Sequence, residues 1–345
     1  KIMNMFRFVS FACLLLTFYA PFAYAEEEVS FRIVSYNIEN LFDWKDDPKT
    51  DDDAFTEQGD YQWTEKKFRR KLSHIAKALV AAGGWQTPVV IGLCEVENAF
   101  VLKELVSNTE LKYAGYQFVH RDSPDLRGVD VALLYDQKRG RVVEKRFLPV
   151  PLEERPTRDI LYAQGVLKET GDTLHLFVNH WPSRYGGELE SEPKRIKAAQ
   201  VLRSAVDSLF LRNDKANIII MGDFNEYTSN ESITRVLGAK NQWETAEPGI
   251  LYNACFQYDG NESIGSHKFE GRWGMLDQFI LSGHLLSDKE GLHTELSKVS
   301  ICQEPFLLKP DRTGYAPKRA FLGCLFAYGF SDHLPICIDL VKKKK

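Results

Sequence analysis

Acids and histidines recur in this chain just where apolar runs stop. Residues 89–94 run into Glu95, and residues 217–221 run into Gly222-Asp223-Phe224-Asn225. Residues 173–178 lead to Asn179-His180, residues 29–36 lead to Asn37, and Ser331-Asp332-His333 stands just before the apolar run 334–340. A carboxylate at the end of a buried strand is costly unless it pairs or binds a cation. Glu95, Asp223 and Asp332 suit Mg²⁺, which takes oxygen ligands and keeps several waters, and Asn37 and Asn225 add amide groups. Asp223 and Asn225, two apart, point the same way if extended, so one can take a proton from water while the other orients an oxygen. His180 and His333 can donate to a phosphate or protonate a leaving oxygen. Asp277, a lone acid inside the apolar run 275–281, needs a partner, and a histidine is the natural one. The set suits metal-assisted hydrolysis of a phosphate ester: a cation on the phosphoryl oxygens, an aimed water and a stabilised leaving oxygen.

Each of these residue types also has an ordinary use. A strand-end acid can face water, Gly-Asp-x-Asn can be turn punctuation, and a single histidine is more often structural. His74, on a helix, is read as structural, as are His120, His175, His267, His284 and His293. Arg127, Arg184, Lys309, Arg312, Lys318 and Arg319 lie in loops beside the motifs, where guanidinium forks suit phosphate.

The elements that must position these groups follow from periodicity. Besides the runs above, residues 117–120, 129–135, 142–148 and 160–167 read as strands. Phe68, Leu72, Ile75, Ala76 and Leu79 predict a helix capped by Thr64 and ended by Gly83-Gly84, and 98–106 and 192–211 predict two more. No linker divides the chain, and the candidate residues span Asn37 to His333, so residues 26–345 are expected to close as one domain. Residues 1–25 read as a signal peptide, with Lys1 and Arg7, an apolar core over 8–18 and Ala23-Tyr24-Ala25 as the cleavage signal. This predicts export, periplasmic or extracellular, with no stable membrane span afterwards. Removing Lys1 and Arg7 makes the net charge more negative than −4, which argues against a basic duplex-DNA surface. Cys94, Cys255, Cys302, Cys324 and Cys337 then remain, without the C-x-x-C spacing of a zinc site. They read as buried thiols with at most one disulfide, Cys302 with Cys324 being the candidate pair.

Together the stretches VSYNIENLF, GLCEVEN, RGVDVALLYD, FVNHWPSR, MGDFNE, GMLDQFILS and SDHLPI resemble the endonuclease/exonuclease/phosphatase family, the deoxyribonuclease-I-like superfamily. They follow its order over nearly all of the chain after residue 25, and the likeness is greatest to a bacterial secreted-type subgroup. The resemblance implies an α/β fold, a four-layer α-β-β-α sandwich of two mixed β-sheets flanked by helices, with the site at one end of the sheets. It implies Glu95 as principal metal ligand, helped by Asn37 and Asp332, with Mg²⁺ as the ion and Mn²⁺ as a substitute. It makes Asp223 the water-orienting base and Asn225 a phosphate contact, pairs His333 with Asp277 and puts His180 on the scissile phosphate. Arg127 and Arg184 fall in matching motifs and are implied substrate contacts. Two departures stand out: Gln278 follows the aspartate of the LD motif, and Pro317-Lys318-Arg319 is followed by Ala320 where the subgroup has threonine.

Charge then bears on the substrate. The acidic segment 43–60 leaves the Asn37 strand at the site end and should repel a long polyanion, while the basic segment 309–319, with Arg319, offers positive charge near His333. These favour a small or single-stranded phosphoester as substrate, and a monomer is expected. A secreted nuclease that scavenges DNA or RNA is the second reading, and a catalytically silent binding protein on the same fold is a third. The acids of 43–60 lack the alternation and central glycine of a helix-loop-helix calcium site.

Overall fold

The computed structural model describes residues 28–343, so the signal-peptide reading of residues 1–25 lies outside the described residues. In chain order the strands are β1 (Glu28–Leu41), β2 (Val90–Val96), β3 (Tyr116–Val119), β4 (Asp130–Asp136), β5 (Gly140–Leu148), β6 (Ile160–Leu167), β7 (Thr173–His180), β8 (Ile218–Asp223), β9 (Ala239–Lys240), β10 (Leu251–Asn253), β11 (His267–Phe269), β12 (Arg272–Gly274), β13 (Asp277–Ser282), β14 (Val299–Ile301), β15 (Leu308–Asp311), β16 (Gly314–Pro317), β17 (Phe321–Leu322), β18 (Leu325–Phe326) and β19 (Ile336–Lys343). The helices are α1 (Glu65–Gly83), α2 (Ala99–Ser107), α3 (Glu188–Phe210) and the single turn α4 (His284–Ser287).

Two sheets carry the fold, a six-stranded one in the order β14-β19-β1-β2-β4-β3 and a seven-stranded one in the order β5-β6-β7-β8-β13-β10-β9. Both are mixed: β1 runs parallel to β2 and antiparallel to β19, and β7 runs parallel to β8, which is antiparallel to β13. Side-chain alternation assigns the layers. Phe31 and Ile33 of β1 join Leu176, Val178, Ile219, Met221 and Phe279 in a core between the sheets. Val34, Tyr36 and Ile38 face the other way, onto α1 and α2, while Phe177, Ile218 and Ile220 pack beneath α3. Three buried layers therefore separate four structural ones, helix, sheet, sheet and helix. The expected cap of α1 is present, Thr64 accepting the Lys67 N–H, and the buried stripe of that helix is Phe68, Leu72, Ile75 and Leu79.

Three expectations need correction. β8 ends at Asp223, and Asn225 has φ of 51°, so the extended run does not reach it. Cys302 and Cys324 are free thiols, as are Cys94, Cys255 and Cys337, so the candidate disulfide does not form. The basic segment is no open loop but the hairpin β15–β16 followed by β17 and β18. Among the described residues no helix is long and apolar enough to cross a membrane.

Candidate active site

The face between the sheets is apolar along most of its length and polar at one end. On β1, β7, β8 and β13 its alternation continues into Asn37, His180, Asp223 and Asp277. Strand pairing sets His180 and Asp277 on either side of Asp223. Gly222 has φ of 131°, and a Cβ there would stand 1.9 Å from the Asn179 carbonyl oxygen, so only glycine lets β8 close on β7 at this point. Ser331 Oγ donates to the Asn37 carbonyl at 2.7 Å, which seats Asp332 and His333 at the same end.

Two bulges turn further acids inward. Pairing of β1 with β2 slips between Asn37 and Leu41, where Glu39 and Asn40 have φ of 53° and 56°. Pairing of β2 with β4 slips between Cys94 and Val96, where Glu95 has φ of 67°. A left-handed backbone away from glycine costs about 1–2 kcal/mol per residue, and bulges re-aim side chains beside active sites. What the strain secures is visible: the Asn40 N–H donates to Glu95 Oε2 at 2.8 Å. Asn37 Nδ2 donates to Glu95 Oε1 at 3.2 Å and to Asp223 Oδ2 at 3.1 Å, tying one sheet to the other.

The two histidines titrate in opposite directions. His333 Nδ1 lies 2.6 Å from Asp277 Oδ2, and its Nε2 lies 3.7 Å from Asp223 Oδ2. Burial opposes charge on that ring, but Asp277 and Asp223 outweigh it and hold the His333 pKa well above its ordinary value, so Nδ1–H donates to Asp277. His180 is pushed well down, by burial first and then by Arg158 and Arg127. Its Nε2 stands 3.8 Å from both Glu95 Oε1 and Asp223 Oδ2. Burial raises Asp223 to about 7, with His333 pulling it back. A charged ring and a neutral ring thus flank one carboxylate, an arrangement that separates proton-donating from proton-accepting roles.

Some residues here escaped the sequence reading. Glu39 accepts the Ala320 N–H at 2.6 Å, and burial, then Asp332, raise it to about 7. Lys71 of α1 is wholly buried and donates to the Ile38 carbonyl at 2.8 Å; burial lowers it to about 8 against the pull of Glu39, Glu95 and Asp332. A lysine on the stripe of Phe68, Leu72 and Ile75 was the available signal. His267, assigned a structural role, has its ring centroid 4.7 Å from that of His333, and burial lowers it to about 4; nothing in its sequence surroundings marks it.

The arginines are less free than expected. Arg319 Nη2 donates to Asp332 Oδ2 at 3.0 Å and its Nε lies 3.5 Å from Glu39 Oε1, while Lys318 turns to the Phe330 ring. Within the expected basic grip, Arg319 is therefore neutralised by Asp332 and Glu39. Arg184 Nε donates to the Asn225 carbonyl at 2.8 Å and pairs with Glu188, bracing the turn after β8. Asn225 is held by its own N–H on Asp223 Oδ1 and by its amide on the Trp181 carbonyl. Gln278, the departure in the LD motif, accepts from Asn253 and donates to the Glu226 carbonyl, which supports the same turn. Arg127 stays at the rim, paired with Asp125.

Glu39, Glu95, Asp223, Asp277 and Asp332 converge here against the cations Lys71, Arg319 and His333. Such a surplus of negative oxygen donors fits a hard divalent cation. Among the described residues, His267, Asp332 and His333 also bring one ligating atom each within 4.8 Å of one another.

Anionic oxygen donors beside an imidazolium are chemistry for phosphoric esters, and fold and site together define a hydrolase of that class. The chain belongs to the Endonuclease/Exonuclease/phosphatase family, which matches residues 32–342. An endonuclease/exonuclease/phosphatase family protein from Bacteroides thetaiotaomicron is similar in structure, with TM-score 0.57, 17% identity, and coverage of 92% of this chain and 97% of that one. D. rerio TDP2 complexed with single-strand DNA product is similar with TM-score 0.54 at 15% identity, over 90% of this chain and 98% of that one. The mannosyl-6-phosphatase of Bacteroides thetaiotaomicron is similar with TM-score 0.54 at 15% identity, over 90% and 99%. No sequence relative is found among curated proteins.

Proposed function

We propose that this chain is a Mg²⁺-dependent phosphoesterase, exported from the cell, that hydrolyses phosphodiester or phosphomonoester bonds by in-line attack of water. The observation that carries the reading is Asp223, flanked by the Asp277-held imidazolium of His333 and by neutral His180. Asp223 orients the water and accepts its proton. His333 presents positive charge to a phosphoryl oxygen through Nε2, and His180 donates to the scissile phosphate. Asn37 fixes Asp223 and Glu95 relative to each other across the two sheets. Glu95, Asn37 and Asp332 would hold the metal, which, when bound, neutralises phosphoryl charge; Mn²⁺ is the expected substitute. Export is supported by the pattern of residues 1–25. A small or single-stranded substrate is favoured by the acid-rich segment 43–60, of which Asp51 pairs with Arg155.

The test is turnover on a panel of bis-p-nitrophenyl phosphate, DNA, RNA, sphingomyelin and inositol phosphates, with and without chelator. The expected result is chelator-sensitive hydrolysis that falls about 10²–10⁴-fold in Asp223→Ala. Full activity in that variant removes the base assignment, and activity indifferent to chelator removes the metal.

A further inference from the structure

Beside His180 lies a cavity of about 470 Å³ that no catalytic step above uses, lined among others by Arg127, Arg155, Thr157, Arg158, Tyr185 and Lys194. Its floor joins the catalytic centre directly. Arg158 donates from Nε to the His180 carbonyl at 3.1 Å and from Nη2 to the Trp181 carbonyl at 2.8 Å. The same guanidinium reaches Asp125 Oδ2 at 3.0 Å, while Arg127 Nε reaches Asp125 Oδ1 at 3.3 Å. Two guanidiniums thus share one carboxylate. Arg158 and Asp125 are 4% and 6% exposed and cancel as a buried pair, so the surplus positive charge is that of Arg127, which lines the cavity with its side chain 46% exposed.

A second observation is independent of that charge. Thr157 lines the cavity, is 5% exposed, and its Oγ1 is buried without a hydrogen-bond partner. Leaving a buried hydroxyl unpaired is costly, and rotation about the Thr157 Cα–Cβ bond would turn it toward a ligand oxygen in the cavity. At the rim, Arg155 and Lys194 are held in exposed pairs, with Asp51 at 3.4 Å and Glu154 at 3.2 Å. Exposed pairs of this kind contribute little, so exchanging them for a ligand anion costs little.

We propose that this cavity is a second anion subsite, taking a further phosphoryl group carried by the substrate on the His180 side of the scissile bond. Guanidinium forks and a hydroxyl donor are the groups that recognise phosphate. The inference rests on the phosphoesterase reading and narrows it to substrates bearing two phosphoryl groups.

Calorimetric titration with thymidine 3′,5′-bisphosphate, thymidine 3′-monophosphate and thymidine 5′-monophosphate tests it without turnover. The wild-type protein should bind the bisphosphate at least about tenfold more tightly than either monophosphate, a factor worth about 1.4 kcal/mol. The double variant Arg155→Ala/Lys194→Ala should lose that advantage while keeping its circular dichroism and melting temperature. Equal affinity for all three nucleotides, or an advantage that survives the double variant, overturns the subsite. Turnover of bis-p-nitrophenyl phosphate by the wild-type protein separates the two readings. Turnover without a bisphosphate advantage removes the subsite alone, and the advantage without turnover upholds the subsite and removes the catalytic assignment.

Discussion

A carboxylate 2.6 Å from one nitrogen of an imidazole decides which nitrogen is left to work. Asp277 accepts from His333 Nδ1, leaving Nε2–H toward Asp223 and the phosphate. In Asp277→Asn an amide can instead donate to Nδ1, which leaves the proton on Nε2 but removes the one on Nδ1 and with it the positive charge of the ring, with little change of shape. Turnover of bis-p-nitrophenyl phosphate should fall by about 10²-fold or more while the melting curve stays put; a change within a few-fold would mean that His333 works without its positive charge. Away from the centre, burial pushes the Asp125 carboxyl up, but Arg158 and Arg127 outweigh it and hold it below its usual range. A depressed folded-state pKa means stability that is present above the unfolded value of about 3.9 and lost as pH falls below it. Urea denaturation of wild type and Asp125→Asn should therefore differ by about 3–5 kcal/mol at pH 7, since a buried pair is broken, and the gap should shrink below about pH 4. A gap that is constant with pH removes the charge from the explanation. At this scale the sequence was legible wherever a residue contradicts its surroundings. Asp277 among apolar neighbours announces a partner; Lys71 on the buried stripe of α1 carries the same kind of signal but went unread, and His267 joins the site through a bridge to His333 that leaves no local trace.

Strand ends are where this fold meets its chemistry, and the elements differ in how readable they were. Buried strands such as β2 and β8 are continuous apolar runs and were found with nearly the right ends. The bulges at Glu39–Asn40 and Glu95 were not, because non-glycine residues at positive φ carry no propensity signal. Nor were β15 to β18, whose short pairings depend on tertiary contact, as where the Ala320 and Phe321 N–H groups meet Glu39. The Gly-Asp-x-Asn pattern is compatible with turn punctuation, but the duty of Gly222 is the close approach of β8 to β7. In Gly222→Ala, strain at φ of 131° adds to the contact with the Asn179 carbonyl. The variant should lose about 1–3 kcal/mol or more of stability and, because β7 carries His180 and β8 carries Asp223, lose turnover beyond what the stability loss explains. Urea melts with kcat measured on the folded fraction check this, and unchanged kcat would show that the 3.8 Å spacing of His180 and Asp223 is not critical.

On the scale of the whole molecule, neither sheet owns the site. Asn37 and Glu95 come from the six-stranded sheet, and His180, Asp223 and Asp277 come from the seven-stranded one. Asp332 and His333 arrive just before β19, paired back onto β1 at the far end of the sequence. That convergence was foreseeable because the motifs span the chain without a linker, so only a single closed domain could unite them. The internal neutralisation of Arg319 was not foreseeable, because it depends on where two loops meet. Convergence of like charges has a thermodynamic consequence. The carboxylates around Glu95 repel one another in the folded state and separate in the unfolded one, so a cation that binds only the folded site stabilises it by mass action. At a Mg²⁺ concentration about 100 times its Kd the gain is about 2.7 kcal/mol, enough to raise the melting temperature by several degrees. In Glu95→Gln the acceptor of the Asn40 N–H survives in shape, but the proposed metal loses its principal charged ligand. The variant without metal should melt near or above the metal-free wild type, since one repelling charge is gone, and added Mg²⁺ should leave it where it was. If Mg²⁺ raises both proteins equally, the ion is held by some other group of acids and the role given to Glu95 is wrong.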